Sequence, residues 1–201
     1  PNFRGYFYIE FSRPYTDFDC RNNDQDEVQG VVTFAEDGSL VARIGLSLIS
    51  VEQARANLRN EVGKRSYGSV LRIAREKWAS QFDKVRIKAS EEVKTIFYTA
   101  LYHSLLYPRK IDEYGRYYSA FDDAVHNGVM YNCWSMWDTY RAEHPLLTLV
   151  APEHIDDMMQ SLVEMFNEGG WLPKWPNPSY TGIMVGSPAE TILAEAWTKG
   201  F

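Results

Sequence analysis

The stretch LVARIGLSLISVEQARANLRNEV, residues 40–62, decides the fold. In its first half Ile44, Leu46 and Leu48 alternate with Gly45 and Ser47, a period of two that predicts a half-buried strand. At Ser50 the period changes. Ser50-Val51-Glu52-Gln53 has the form of a capping box, whose hydroxyl and amide can satisfy orphan amides of a helix's first turn. Ala54, Leu58 and Val62 then fall on one helical face. The chain therefore reads as β before this point and helical after it.

Upstream, residues 5–12 are aromatic and β-branched and predict a strand. Residues 29–35 and 40–48 flank Glu36-Asp37-Gly38-Ser39, where Asp-Gly predicts a hairpin. The polar run from Arg21 to Glu27 predicts a solvated loop. Downstream, a helix is expected from Tyr67 to Phe82, with Val70, Leu71, Ala74, Trp78 and Phe82 on its stripe. Val85 to Lys88 reads as a short extended piece. Ser90 is an N-cap before Glu91 and Glu92, and Val93, Ile96, Phe97, Ala100, Leu101 and Leu105 form an apolar face ending before Pro108. Residues 109–133 carry turn signals at Glu113-Tyr114-Gly115 and His126-Asn127-Gly128. Helices return at 136–149 and 153–168, the second with Ile155, Met158, Met159, Leu162, Val163 and Phe166 in register. Ser187-Pro188-Ala189-Glu190 reads as another capping box, with Pro at the first helical position and Gly200 closing the helix at C′.

Composition narrows the function classes. The 201 residues carry 21 basic and 27 acidic side chains, a net charge of −6, and no basic stripe, which excludes a nucleic-acid duplex as main partner. No apolar stretch is long enough to span a membrane. Cys20 and Cys133 lie far apart, so one disulfide between them is open, and neither has zinc-ligand spacing. His103, His126, His144 and His154 form no close pair, so no metal ligand is assigned. His103 reads as a packed or capping residue rather than a base. There is no phosphate loop, dinucleotide fingerprint or nucleophile elbow, and no carboxylate pair is marked as acid and base. The first residue is Pro rather than Met and no signal pattern follows, so the chain is expected to be a piece of something longer.

Six Trp and 13 Tyr suit a groove that stacks flat, amphipathic ligands such as sugars. Two segments, which include Trp134, Trp137, Trp171 and Trp175, stand out. In Trp134 to Arg141, Asp138 and Arg141 are three apart, so on a helix they share a face and can pair. Read structurally, they are an ion pair beside core tryptophans. Read functionally, Asp138 accepts sugar hydroxyls and Trp137 covers a sugar's apolar face. In Gly169 to Gly186, prolines and glycines around large aromatics describe an ordered loop. There the aromatics read structurally as pinning the loop to the core, which for Trp171 is at least as well supported as a ligand role, while Trp175 and Tyr180 are expected to be more exposed. Glu190 is given a capping role in preference to a catalytic one.

The blocks GLSLISVEQARANL, FYTALYHSLLYP, WSMWDTYRAEHPLLTLVAPE and GGWLPKWPNPSYTGIMVGSPAETILAEAWTKGF occur in order over nearly the whole chain. Together they resemble glycoside hydrolase family 92, the calcium-dependent exo-α-mannosidases. The resemblance implies a mixed β and α fold: the tail of an N-terminal β-sandwich in residues 1–50, a helical linker in 51–84, and the first hairpins of an (α/α)6 toroid in 85–201. It implies inverting hydrolysis of terminal α-mannose on glycans. The catalytic acid, the base and the Ca2+ ligands are expected beyond Phe201, so no catalytic residue is assigned. Substrate-binding roles are carried over to Trp137 and Asp138, with Arg141 supporting Asp138, and Trp175 is added from the loop. An extracellular or periplasmic location is implied likewise. The alternative is a non-catalytic carbohydrate-binding protein on the same scaffold. One departure stands out: where relatives often read Gly-Thr-His-Ala-Asp, this chain has Gly186-Ser187-Pro188-Ala189-Glu190, so no contact of that His is carried over. A partial toroid is also expected to leave Ile155, Met158 and Leu162 without partners.

Overall fold

The computed structural model describes residues 3–22, 28–35 and 37–201. The chain divides into two compact units, Gly5–Lys64 on one side and Arg65–Phe201 with Phe3 and Arg4 on the other.

In the first unit four strands, β1 (Tyr6–Phe11), β2 (Asp17–Asn22), β3 (Val28–Thr33) and β4 (Ala42–Ser47), precede helix α1 (Val51–Glu61). β1 pairs antiparallel with β4 from Tyr6↔Ser47 to Phe11↔Ala42, and β2 with β3 from Asp17↔Thr33 to Asn22↔Val28. The hairpin expected across Asp37-Gly38 is therefore absent: β3 and β4, on either side of it, take β2 and β1 as partners. Ser12 N–H donates to Val41 O and Thr16 N–H to Thr33 O, so the two strand pairs continue to Ser12–Val41 and Thr16–Thr33. Arg13 donates to the carbonyls of Asp37 and Gly38 at 3.4 and 3.5 Å. A local turn signal does not by itself make a hairpin here, because the cross-strand register is set elsewhere. Of the polar run 21–27, Arg21 and Asn22 belong to β2 and residues 23–27 lie outside the described residues.

β4 also presents the opposite face from the one its apolar residues suggest. Gly45 and Ser47 are buried, while Ile44 and Leu46 are 54% and 70% exposed. Helix α1 causes this by lying directly on the Gly45 backbone. A Cβ at Gly45 would stand 2.2 Å from Ala54 O and 2.8 Å from Leu58 Cβ, a gap only glycine fits. The Ser50 cap forms, its Oγ accepting from Gln53 N–H at 3.1 Å. The reciprocal arm differs: Ser47 Oγ takes the Ser50 N–H at 3.3 Å, and the Gln53 amide donates to Asn57 Oδ1 at 2.9 Å. Asn57 in turn donates to Leu46 O at 2.8 Å, so this buried polar pair ties α1 to β4.

The second unit begins with α2 (Tyr67–Phe82), capped by Ser66, in which no residue is fully buried. Helix α3 (Glu91–Ser104) is capped by Ser90 as expected, but only Leu101 of its apolar face is buried; Val93 and Ile96 are exposed. Four short strands follow: β5 (Arg109–Lys110), β6 (Arg116–Ser119), β7 (Ala124–Asn127) and β8 (Tyr131–Asn132), with β6 paired to β7 inside the β5–β8 pair. The single helix expected over 136–149 is broken into α4 (Met136–Thr139) and α5 (Glu143–Val150). Pro145 accounts for the break, since its ring would clash with the carbonyl of residue 141 in a continuous helix. A 3-10 turn then leads into α6 (Ile155–Gly169), and α7 (Pro188–Thr198) ends the chain. Ser187 precedes α7 but makes no side-chain cap bond, so the second capping box does not form, while Gly200 takes its positive φ of 93° after the helix as expected.

Ile155, Met158 and Leu162 are not left without partners. They are 2%, 5% and 0% exposed and form the core with Trp134, Met136, Leu147, Met165, Ala189 and Ile192. Ser161 sits among them, donating to Asp157 O at 2.7 Å and accepting Tyr131 N–H at 2.9 Å, which fastens α6 to β8. The apolar surface left exposed lies elsewhere, at Val93, Ile96, Leu149, Phe166 and Trp197.

Candidate functional site

Trp134 anchors the site. It is 1% exposed, its Nε1 donates to Tyr131 O at 2.8 Å, and its backbone N–H donates to Pro176 O. Asn132 Nδ2 donates to Pro178 O at 2.8 Å, so the segment 131–134 and the loop 171–186 are laced together. Within that loop, Pro173 and Pro176 are fully buried and do the pinning assigned to Trp171, which is 76% exposed. Prolines do this well because their fixed φ leaves little conformational freedom to lose on burial. Trp175 is half-buried, the reverse of the expected order, and Tyr180 is held by Trp171, whose carbonyl accepts from Tyr180 Oη at 2.6 Å.

With the scaffold fixed, Ser135 joins two of the expected residues. Its Oγ donates to Asp138 Oδ2 at 2.6 Å and accepts from Trp175 Nε1 at 2.7 Å. The indole therefore orients the hydroxyl, and the hydroxyl holds one carboxylate oxygen of Asp138. Asp138 and Trp137 both lie on the exposed side of α4. Arg141 does not make the expected ion pair with Asp138. It follows the end of α4, so the three-residue helical spacing does not apply, and its guanidinium lies over the rings of Tyr140 and Trp137 at 4.6 and 5.5 Å.

A cleft of about 460 Å³ opens behind Ser135 and Trp175, with Arg109, Cys133, Glu143 and Asn177 in its wall. A second hollow of about 590 Å³ also borders Trp175, lined besides by Trp171, Tyr180, Lys174 and the exposed Glu190. In the first cleft, burial pushes the Glu143 carboxyl up to about 7, and its Oε1 is buried with no hydrogen-bond partner. The neighbouring His144 is pushed down to about 4 by burial; its ring stacks on Trp134 at 5.3 Å and Nδ1 has no partner. Burial also raises the Cys133 thiol. Cys20 and Cys133 are both free thiols. Perturbed groups in a concave wall make this the candidate functional region of the unit.

Ser135 and Glu143 were missed from sequence. Ser135 had a local signal, since Ser-x-x-Asp resembles an N-cap pattern, whereas nothing in the sequence around Glu143 announces its burial. Among the described residues one group of three gathers metal-ligating atoms, Asp122, His126 and Glu168. Two carboxylates and an imidazole do not offer the six to eight oxygen ligands calcium takes, so these residues do not fit a calcium ion.

The model of the family described as glycosyl hydrolase family 92 catalytic domain matches residues 53–201. A family GH92 inverting mannosidase from Bacteroides thetaiotaomicron is 34% identical with a TM-score of 0.88, covering 99% of this chain and 29% of its own. A family GH92 α-mannosidase from the same organism shares the fold, with a TM-score of 0.90 at 23% identity, covering 99% of this chain and 30% of its own. A third solved structure, a GH92 family glycosyl hydrolase, is 27% identical with a TM-score of 0.80 over 97% of this chain and 28% of its own. The chain therefore spans less than a third of the solved relatives it matches. No curated protein matches it.

Proposed function

The chain belongs to glycosyl hydrolase family 92, and from that premise we propose that it is part of an exo-acting α-mannosidase that releases terminal α-linked mannose from glycans with inversion. The observation that carries this reading is the match of residues 53–201 to the family's catalytic domain, joined to 34% identity with an inverting mannosidase.

Within the proposed site each residue has a separable task. With Oδ2 held by Ser135, Asp138 keeps its other oxygen as an acceptor for a sugar hydroxyl. Trp137, 37% exposed, covers an apolar sugar face, and Arg141 steadies that ring from above. Trp175 positions Asp138 through Ser135. The acid and base, two carboxyls that inverting hydrolysis sets about 6.5–9.5 Å apart with water between them, are assigned on the family resemblance to segments beyond Phe201. The calcium ligands are assigned there too, where the ion would supply a template and Lewis acid.

The sandwich, linker and toroid with limits 1–50, 51–84 and 85–201 are proposed on the same premise. The outward Ile44 and Leu46 of β4 support a further sheet layer over residues 1–50. A linker is supported by α2, which buries no residue, and further toroid hairpins by the exposed Val93, Ile96, Phe166 and Trp197. Action outside the cytoplasm is proposed from the family resemblance; among the described residues no helix is long and apolar enough to cross a membrane.

The test is mannose release from an α-linked mannobiose by the intact polypeptide, with calcium and after chelation. Release that stops on chelation is expected. Asp138→Asn should lower kcat/KM by about tenfold or more, the scale of a lost charge-assisted hydrogen bond. A folded intact protein that binds mannose and releases none overturns the enzymatic reading in favour of a binding protein.

A further inference from the structure

The turn between β6 and β7 and the last turn of α6 bring together three side chains that the proposed glycosidase chemistry does not use. Asp122 lies in the turn, His126 on β7 and Glu168 on α6. His126 Nε2 is 2.8 Å from Asp122 Oδ2 and 3.9 Å from Glu168 Oε1, and one donor atom from each residue lies within 4.8 Å of the others.

We propose that Asp122, His126 and Glu168 form a binding site for a divalent transition-metal ion of the zinc class. Bonds of about 2.1 Å to oxygen and imidazole nitrogen place neighbouring donors about 3.0–3.4 Å apart in tetrahedral or octahedral sites. The 2.8 and 3.9 Å from His126 bracket that spacing and the remaining separation lies within 4.8 Å, so shifts of about 1–1.5 Å would seat the ion. The donor set selects the metal, because an imidazole with carboxylates suits zinc and its neighbours, while calcium prefers oxygen alone.

A second observation points to a missing cation. The Glu168 side chain is 6% exposed and its Oε2 is buried with no hydrogen-bond partner. A carboxylate oxygen in that state needs a proton donor or a cation. Glu168 also ends a helix, where the backbone dipole disfavours negative charge. Arg4 pairs with the adjacent Asp123 at 3.1 Å.

The surroundings resemble the outer shell of a metal centre. Tyr117 lies directly across the β6–β7 pair from His126, its ring stacked on the imidazole at 5.6 Å, and its hydroxyl donates to Glu168 Oε1. Asp122 Oδ1 accepts the Ala124 N–H at 3.2 Å, which leaves Oδ2 facing His126. Such bonds fix the orientation of ligating groups and are a regular part of metal sites. The site is independent of the mannosidase reading, since metal uptake is read without any sugar.

The experiment strips the intact protein with a chelator, then titrates it with Zn2+ by calorimetry and with Co2+ by visible absorption. One ion per site is expected, with a Co2+ spectrum of low-symmetry nitrogen and oxygen coordination, and no competition from millimolar Ca2+. His126→Asn and Asp122→Asn each weaken Zn2+ binding at least tenfold, as does Glu168→Gln, and Tyr117→Phe weakens it by about tenfold through the outer shell. Zn2+ raises the Tm of the wild type and not that of His126→Asn. Circular dichroism checks the fold, and the two variants at the exposed turn and strand, Asp122→Asn and His126→Asn, decide the matter if Glu168→Gln does not fold. Equal Zn2+ affinity in wild type and these variants, or uptake that Ca2+ abolishes, overturns the proposal.

Discussion

Replacing Glu143 by Gln should make the protein more stable at neutral and alkaline pH and leave it unchanged in acid. The carboxyl is held up at about 7 in the folded chain by burial, against 4.5 for the free group. In the unfolded chain it ionises above 4.5, so between pH 4.5 and 7 the folded state binds more protons than the unfolded one. Stability from this group is then fully present below pH 4.5 and is lost as pH rises to 7. At 1.36 kcal/mol per pKa unit the full shift corresponds to about 3.4 kcal/mol, and solvent screening of a half-exposed group reduces that to about 1–2 kcal/mol. Glutamine fills the same space without a charge, so Glu143→Gln should match wild type at pH 4.5 and exceed it at pH 8 by about 3–6 °C in Tm for a chain of this size. Thermal melts of both proteins across pH 4–8 test this. His144 contributes the opposite slope, because its pKa is lowered to about 4 by burial and stability falls as pH drops from 6.5 toward 4. The comparison between variants cancels that term. A Tm difference that does not change between pH 4.5 and 8 refutes the account of Glu143 as a buried carboxyl without a partner.

Gly45→Ala should destabilise the first unit by about 1–3 kcal/mol, because its Cβ would meet backbone rather than a movable side chain. An unchanged urea midpoint would contradict the close approach of α1 to β4. Ser135→Ala removes the oxygen between Asp138 and Trp175 and leaves the Trp175 N–H unpaired. In the intact enzyme it should reduce kcat/KM for an α-mannoside by about tenfold, and it should shift Trp emission in the free protein. Wild-type kinetics would remove Ser135 and Trp175 from the proposed site.

The helix starts at Ser50, Ser66 and Ser90 were legible in the sequence or lay within a residue of the expected position, because a cap is satisfied by atoms three residues away. Ser187 shows the limit of that rule: Pro188 carries the helix start, and the hydroxyl makes no cap bond. Trp137, Asp138 and Trp175 were named from residue type, and the structure joins the last two through a serine whose importance depended on a residue forty positions later in the chain.

The sequence by itself determined the helix starts at Ser50, Ser66 and Ser90 and the change from β to helix at Ser50, since each is written in spacing along the chain, and its blocks carried the resemblance to the family. Only the tertiary structure decided which face of β4 is covered, which strands pair around Asp37-Gly38, and that the prolines rather than Trp171 pin the loop. It alone buried Glu143 and His144 and gathered Asp122, His126 and Glu168. Capping and periodicity are fixed by neighbours within a turn, whereas burial, pairing and ligand geometry depend on which distant segment arrives on the other side.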